Sequence, residues 1–346
     1  MPFIGLAAFF VYIYIFNVDI QEIIATVQRI NLYFYLWATI AVVLETLFFT
    51  LAWNILLRLL SVKISIFKSF LYMWVGIFID TLIPAESVSG EITKIYLVNS
   101  EQPGTAGKTT ASIVAHRLMN MGINIITLLM GAILLLIESQ LSGIILTLIL
   151  FIMTMIFIFL ILLMLLCVKE NWTFRIVDAI IRFAERISRG RWKLVRLREE
   201  VIEAAKSFHG AIKEYTHAPK TLLAAAFLSI VSLLFSLFVF YLTFLSIGYS
   251  QISWSTILVT SAIFVAVKSI PIGIPFEVGL PEITLTTLFG LLGVPWEVGA
   301  TGTILTRLLT LWLRFFIGFA AQQWIGIKAI ITRTNGETNE VKSEKT

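Results

Sequence analysis

The sequence predicts an all-α polytopic membrane protein with about six full spans and two re-entrant helical hairpins that form an inverted repeat. Three observations support this fold class: an apolar composition, five apolar stretches of membrane-spanning length, and a repeated motif that interrupts two further stretches. Of the 346 residues, 58% are hydrophobic and 14% are charged, and the mean hydropathy is +0.93. Soluble domains average about 25% charged residues. The composition therefore excludes a soluble enzyme, a nucleic-acid-binding protein and a disulfide-linked secreted domain.

A helix needs about 20 residues to cross about 30 Å of hydrocarbon. Five apolar stretches reach that length, and they are residues 32–57, 110–137, 141–168, 221–247 and 299–331. A shorter apolar stretch, residues 3–16, has no basic residue before it and no small-residue cleavage site after it. It therefore predicts a short first span and not a removable signal peptide.

Two more apolar stretches, residues 70–83 and 254–274, each run into a break rich in proline, glycine and glutamate. A second short helical stretch follows each break and ends near Val98 and Val294, respectively. We interpret each as a re-entrant hairpin, because non-helical backbone at membrane depth is tolerated where protein or a watery cavity surrounds it. The alternative of two ordinary spans joined by a surface loop stays open.

The distribution of basic residues predicts the orientation. Residues 169–220 hold 12 of the 26 Lys and Arg residues and 7 of the 21 Asp and Glu residues, a surplus that equals the net charge of +5. With re-entrant hairpins, 20 basic residues lie on one side and only Arg29 lies on the other. Basic residues collect on the cytoplasmic side. We therefore expect a multi-pass plasma membrane protein whose amino terminus, segment 169–220 and carboxyl terminus are cytoplasmic.

The two breaks carry an internal repeat. Residues 83–93 read IPAESVSGEIT and residues 274–284 read IPFEVGLPEIT, with six of eleven positions identical. A lone arginine follows in the next span of each half, Arg117 at 33 residues after the first proline and Arg307 at 32 residues after the second. The matched pairs include Pro84 with Pro275, Glu86 with Glu277, and Glu91 with Glu282.

Three full spans separate the breaks, so the second hairpin is predicted to open on the opposite face from the first. Inverted repeats with broken helices are typical of transporters, in which the ends of half-helices build the binding site. Each proline stops the incoming helix. Glu86 and Glu91, like Glu277 and Glu282, fall near the start of the outgoing half-helix, where a carboxylate can cap free amides.

Charged residues within the apolar sequence are the candidate site residues. Each costs about 2.5 to 3.5 kcal/mol at the centre of a membrane helix, so they are expected to face the bundle interior and to pair. The acids are Glu45, Asp80, Glu86, Glu91, Glu277 and Glu282, and the bases are Lys94, Arg117, Lys268, Arg307 and Arg314.

Two interpretations of these charges stay open. In the first, Arg117 and Arg307 receive an anionic headgroup such as a phosphate, which suits a guanidinium. In the second, Arg117 with Glu91 and Arg307 with Glu282 are structural ion pairs. Glu45 is a candidate proton carrier or a partner for Arg314. Since Arg314 follows Arg307 by seven residues, two α-helical turns would place both on one face.

Segment 169–220 is predicted to form two amphipathic helices broken at Gly190, as a basic cytoplasmic insertion in a single transmembrane domain that covers residues 1–346. It either lies against anionic lipid headgroups or is a solvated loop. Residues 333–346 are predicted to be a disordered tail. The sequence shows no nucleotide-binding loop, catalytic triad order or metal-ligand spacing. We therefore predict no catalytic residue, cofactor, metal or nucleic-acid partner.

These motifs resemble the lysylphosphatidylglycerol synthase transmembrane family, also called flippase-like, over nearly the whole chain. In that family the first hairpin carries a proline and then Gly-Glu, a basic residue and Tyr-Leu, which here are Pro84, Gly90-Glu91, Lys94 and Tyr96-Leu97. The next span carries Glu-Arg and an acid; Arg117 matches, while His116 and Asn120 replace the acids. In the second hairpin Pro275, Gly279 and Glu282 match, Phe276 and Glu277 replace paired glycines, and Gly293-Val294 and Arg307 follow.

The resemblance implies that the protein is a lipid translocase that moves an anionic phospholipid or a polyprenyl-phosphate-linked lipid between leaflets. Membrane lipids are the implied partners, and a homo-oligomer or a lipid-modifying enzyme stays open. The alternatives are an integral-membrane transferase that acts on a lipid-linked sugar and a proton-coupled small-solute transporter. The predicted headgroup site comprises Arg117, Arg307, Lys94 and Arg314. The predicted hairpin break and charge network comprises Pro84, Glu86, Gly90, Glu91, Pro275, Glu277, Gly279 and Glu282.

Overall fold

A computed structural model of the protein describes residues 30–83, 88–138, 142–187, 195–268 and 279–327. Within these ranges the backbone forms eleven helices and no strand. The helices are α1 (Leu32–Leu59), α2 (Ile66–Leu82), α3 (Val88–Glu101), α4 (Ala106–Ile137), α5 (Gly143–Val168), α6 (Glu170–Ile187), α7 (Val195–Thr216), α8 (Pro219–Ser246), α9 (Trp254–Lys268), α10 (Leu280–Leu291) and α11 (Trp296–Arg307). A π-helical segment, Leu308–Leu313, continues α11 into a helix that extends to Ile327.

Five of these helical segments are long and apolar enough to cross a membrane: α1, α4, α5, α8 and the continuous helix Trp296–Ile327. They correspond to the five long spans predicted from the sequence. The chain is therefore an all-α, multi-pass membrane protein. The predicted first span at residues 3–16, the break residues Pro84, Glu86, Pro275 and Glu277, Gly190 and the tail lie outside the described residues.

Local sequence determines where several helices begin. The side chains of Asn31 and Ser65 accept hydrogen bonds from backbone amides in the first turns of α1 and α2. Ser142 caps α5 in the same way, and Pro219 occupies the first turn of α8, where its missing amide costs nothing. The long spans α1 and α8 pack against each other, with Ala38, Val42 and Val239 buried between them.

Helices α2 and α3 form an antiparallel pair, here called the first hairpin. Near the break, Asp80 Oδ1 of α2 accepts a hydrogen bond from the backbone amide of Gly90 in α3. At the opposite end, the Tyr72 hydroxyl donates to Glu101 and Lys68 Nζ lies 2.8 Å from Glu101 Oε1. The chain therefore enters and leaves this hairpin at the same end of the bundle.

Helices α9 and α10 pack together as the second hairpin. Ser255, at the start of α9, donates to Glu138 just beyond α4 at 2.5 Å. Further along α9, the carbonyl of Ala262 accepts a 3.2 Å hydrogen bond from the side-chain amide of Asn124. Asn124 lies near the middle of α4. Helix α9 therefore runs from the carboxyl-terminal end of α4 toward its middle.

The two hairpins open at opposite ends of α4. The open end of the first lies at the start of α4, where Lys108 Nζ donates to the carbonyl of Leu60 at 3.1 Å and Gln102 bonds the backbone of Lys63. The open end of the second lies at Glu138. Helix α4 has 32 residues and is about 48 Å long.

Helix α7 packs on the ends of three spans. The Tyr215 hydroxyl donates to the Leu56 carbonyl in the last turn of α1, and His209 Nδ1 lies 3.1 Å from the Cys167 carbonyl in the last turn of α5. Gly107 of α4 faces Ala204 so closely that an added Cβ would lie 2.1 Å from its carbonyl oxygen. Ala205, Phe208, Ala211 and Tyr215 of α7 are thus buried against protein, and the contact of segment 169–220 with lipid headgroups or solvent stays a prediction.

Candidate functional site

The first predicted ion pair lies where α3 leaves the break of the first hairpin. Arg117 Nη1 of α4 is 3.4 Å from Glu91 Oε2 of α3, so the predicted pairing of these residues is confirmed. The two side chains are 26% and 23% exposed. The Arg117 guanidinium also lies 6.0 Å from the centroid of the Phe159 ring. This pair is therefore long and partly buried, and within the described residues its one polar contact is the 3.4 Å approach of Arg117 Nη1 to Glu91 Oε2.

Among the residues that the structure describes, Asp80 and not Glu91 caps the start of α3. Its Oδ1 accepts from the Ser89 hydroxyl at 2.7 Å and from the Gly90 amide at 2.6 Å, which satisfies donors that a helix start leaves open. A Cβ on Gly90 would lie 2.3 Å from Asp80 Oδ2 and 2.4 Å from the Gly76 carbonyl oxygen. Only glycine allows this approach. Asp80 of the preceding helix thus has the capping role that was expected of Glu91. Glu91 contacts Arg117 instead.

Lys94 lies one helical turn after Glu91 on α3. Its stem packs on Gly76, where an added Cβ would be 3.4 Å from Lys94 Cγ. Its ammonium lies 5.4 Å from the centroid of the Trp53 ring, which is held by a 3.0 Å hydrogen bond to Ser112. In the part of the chain that the structure describes, Lys94 Nζ has no hydrogen bond and no ion pair. The charges that act on it are those of Glu91, Asp80 and Arg117.

The second predicted ion pair is much tighter. Arg307 Nε donates to Glu282 Oε1 at 2.6 Å, and the side chains are 4% and 5% exposed. Glu282 Oε2 also accepts from the Gly279 amide at 2.6 Å, so this glutamate caps its own helix, as expected. Gly279 has φ of 106°, a region that favours glycine. The predicted pairing of Arg307 with Glu282 is confirmed.

Phe264 of α9 joins the second pair to the end of the incoming arm. The Arg307 guanidinium and Lys268 Nζ each lie 6.0 Å from the centroid of the Phe264 ring. Lys268 is the last residue of α9 before the break. The described residues place Arg307 beside both arms of the second hairpin, just as Arg117 contacts the first.

The third ion pair joins Arg314 to Glu45 of α1, which confirms that predicted partner. The side chains are 19% and 18% exposed. The expectation that Arg314 and Arg307 share a face was wrong, because π-helical residues Leu308–Leu313 separate them. A π-helix closes its hydrogen bonds over one more residue than an α-helix, so it turns less per residue. Arg307 accordingly contacts α10 and Arg314 contacts α1.

Asp80 was predicted to be one of the charged residues within the apolar sequence, but its role as the cap of α3 was not predicted. The small residues Ser89-Gly90 at the start of α3 were the available signal, because they leave room for a carboxylate from another helix. The aromatic residues Trp53, Phe159 and Phe264 carried no local signal. Within the described ranges, no group of three or more His, Cys, Asp or Glu residues is placed to hold a metal ion.

Comparisons with known proteins agree with this architecture. The family model described as the lysylphosphatidylglycerol synthase TM region matches residues 3–318. A UPF0104 membrane protein of Pyrococcus horikoshii is 23% identical over 311 residues, which cover 86% of this chain and 89% of the relative. A UPF0104 membrane protein of Methanothermobacter thermautotrophicus is 22% identical over 293 residues, which cover 84% and 86%. No solved structure matches the chain. The chain belongs to the lysylphosphatidylglycerol synthase transmembrane family.

Proposed function

We propose that the protein moves an anionic lipid, either a phospholipid or a polyprenyl-phosphate-linked lipid, between the leaflets of the membrane. The observation that carries this proposal is the placement of Arg117 and Lys94 at the break of a hairpin that opens opposite to its repeat. Two hairpins that reach the middle of a bundle from opposite ends give access to one region from either side.

The chemistry of the first hairpin suits a phosphate. Moving a lipid headgroup across hydrocarbon removes its water, and that cost must be offset by charged or hydrogen-bonding partners. The guanidinium of Arg117 can donate to two phosphate oxygens, and the ammonium of Lys94 adds a second cation. Both side chains are partly buried between helices, while the acyl chains of a lipid can remain in the bilayer.

We also propose that both hairpins are re-entrant and that the end of the bundle bearing α7 faces the cytoplasm. Arg58, Lys63, Lys68 and Lys108 belong to the helix ends and turns at the open end of the first hairpin, the end at which α7 packs on α1 and α4. Basic residues favour the cytoplasmic side. Membrane lipids are the proposed partners, and the proposed compartment is the plasma membrane.

The test is lipid translocation in proteoliposomes that contain fluorescent phosphatidylglycerol, with dithionite quenching of the outer leaflet as the readout. Arg117→Ala is expected to slow translocation about tenfold, the effect of losing about 1.4 kcal/mol of transition-state stabilisation. The matched control is Arg182→Ala, which removes a 70% exposed guanidinium that pairs with Asp178 on α6. Equal rates for wild type, Arg117→Ala and Arg182→Ala would refute the proposal.

A further inference from the structure

The two ion pairs at equivalent positions of the internal repeat differ in geometry. In the second half, Glu282 binds Arg307 at 2.6 Å and also caps α10, and both side chains are almost fully buried. In the first half, Glu91 meets Arg117 at 3.4 Å, and about a quarter of each side chain is exposed. Equivalent sequence positions have therefore produced one tight pair and one loose pair.

The difference follows from which carboxylate caps the helix. Asp80 satisfies the Ser89 hydroxyl and the Gly90 amide at the start of α3. Among the described residues Glu91 caps no amide of α3, so it can leave Arg117 without breaking a cap there. Glu282 cannot leave Arg307 in the same way, because its second oxygen holds the Gly279 amide and both side chains of the pair are buried.

We infer that Glu91 occupies the place of a ligand phosphate and is displaced from Arg117 when an anionic lipid headgroup binds, whereas Glu282 stays fixed on Arg307. This inference rests on the proposed function and assigns unequal roles to the two halves. Lys94 completes the binding site for the phosphate. Lys94 follows Glu91 by one helical turn, and within the described residues its ammonium has no hydrogen bond or ion pair and lies 5.4 Å from the centroid of the Trp53 ring.

The charges support an exchange. Arg117 and Lys94 are two cations, and Glu91 and Asp80 are two carboxylates, of which Asp80 is held at the start of α3 by the Ser89 hydroxyl and the Gly90 amide. A phosphate diester has one negative charge and two free oxygens, so it can replace Glu91 on Arg117 and reach a second cation. A single-point contact at 3.4 Å is weaker than a bidentate arginine–phosphate contact, which favours the replacement.

The test measures binding of short-chain phosphatidylglycerol to the full-length protein in detergent by isothermal titration calorimetry. Glu91→Gln removes the competing charge and is expected to tighten binding about twofold to fivefold, the range for a half-exposed ion pair. Lys94→Ala and Arg117→Ala are expected to weaken it. Glu282→Gln is the matched control at the equivalent position and is expected to leave the affinity unchanged while lowering the melting temperature.

A competition experiment with inorganic phosphate distinguishes recognition of the phosphate group alone from recognition of a whole lipid. Competition by inorganic phosphate would mean that the phosphate group alone is recognised, whereas binding of the short-chain lipid alone would mean that acyl chains are also required; tightening in Glu91→Gln supports the exchange in either case. Unchanged or weaker binding in Glu91→Gln would overturn it. Tightening in Glu91→Gln without translocation by the wild type would retain the site and reject the proposed transport function.

Discussion

Glu282 holds Arg307 with one carboxylate oxygen and the backbone amide of Gly279 with the other, both at 2.6 Å. One side chain thereby ties the start of α10 to the middle of the last span. The whole arrangement is buried, so neither contact can be replaced by water at low cost. We regard this residue as the anchor of the second hairpin.

Glu282→Ala is expected to be the most destabilising single change at either hairpin. It leaves Arg307 buried beside an uncapped helix, and loss of one partner of a buried pair costs about 3 to 5 kcal/mol. Thermal unfolding of the detergent-solubilised protein, followed by circular dichroism, checks this. The equivalent change Glu91→Ala removes a half-exposed partner and is expected to cost about 1 kcal/mol or less. Equal losses of stability would show that the two pairs do not differ as described.

Gly90→Ala is expected to disrupt the first hairpin, because the added methyl group would collide with the Asp80 carboxylate and the Gly76 carbonyl. Overpacking of this kind costs about 1 to 3 kcal/mol. The matched control is Gly122→Ala in α4, where an added Cβ meets nothing within 4 Å. Alanine is favoured over glycine in a helix by about 1 kcal/mol, so the control is expected to be neutral or stabilising. The melting temperatures of the two variants test the contrast.

Arg314 and Glu45 are expected to be energetically coupled. Glu45→Gln leaves Arg314 without its carboxylate, and Arg314→Met leaves Glu45 without its guanidinium. The double variant removes both charges, so its loss of stability is expected to be smaller than the sum of the single losses by about 0.5 to 3 kcal/mol. A double-mutant cycle on unfolding free energies measures this term. Strict additivity would mean that the pair contributes no interaction energy.

Tyr215→Phe is expected to loosen α7 from the membrane helices, because the Leu56 carbonyl in the last turn of α1 would lose its donor. Leaving one buried acceptor unsatisfied costs about 1 to 3 kcal/mol. Burial, followed by the charge of Glu214, raises the pKa of Tyr215, so the hydroxyl remains a donor well above neutral pH. The measurement is the protease sensitivity of segment 169–220. Tyr33→Phe, at a 64% exposed tyrosine, is the control and is expected to change nothing.

Much of the fold was predictable from the sequence. The five long apolar stretches correspond to helices. The repeated motif and the arginine that follows it also predicted, as one of two interpretations, both ion pairs. The pairing of Glu45 with Arg314 was also named as one alternative. These predictions succeed because a charge in an apolar span is expensive, so an acid and a base at repeated spacing are expected to meet.

Other features depend on neighbours that are remote in sequence. The π-helical turn between Arg307 and Arg314 breaks the α-helical register on which the shared-face prediction rested. The periodicity of α7 predicts an apolar face, but it does not show that α7 packs on the ends of α1 and α5. Asp80 caps α3 across the first hairpin, a contact that depends on how α2 and α3 pack.

By itself, the sequence determined that this is a multi-pass helical membrane protein and that each copy of its repeated motif carries a glutamate and is followed by an arginine with which it can pair, because burying an unpaired charge is costly. Only the tertiary structure decided how the two pairs differ. Asp80 of α2 caps α3, and the side chain of Glu91 is 23% exposed. Glu282 both caps α10 and pairs with Arg307, and its side chain is buried. Burial and capping depend on the residues that pack around each pair. The two copies of the motif therefore form Arg–Glu pairs of different length and exposure.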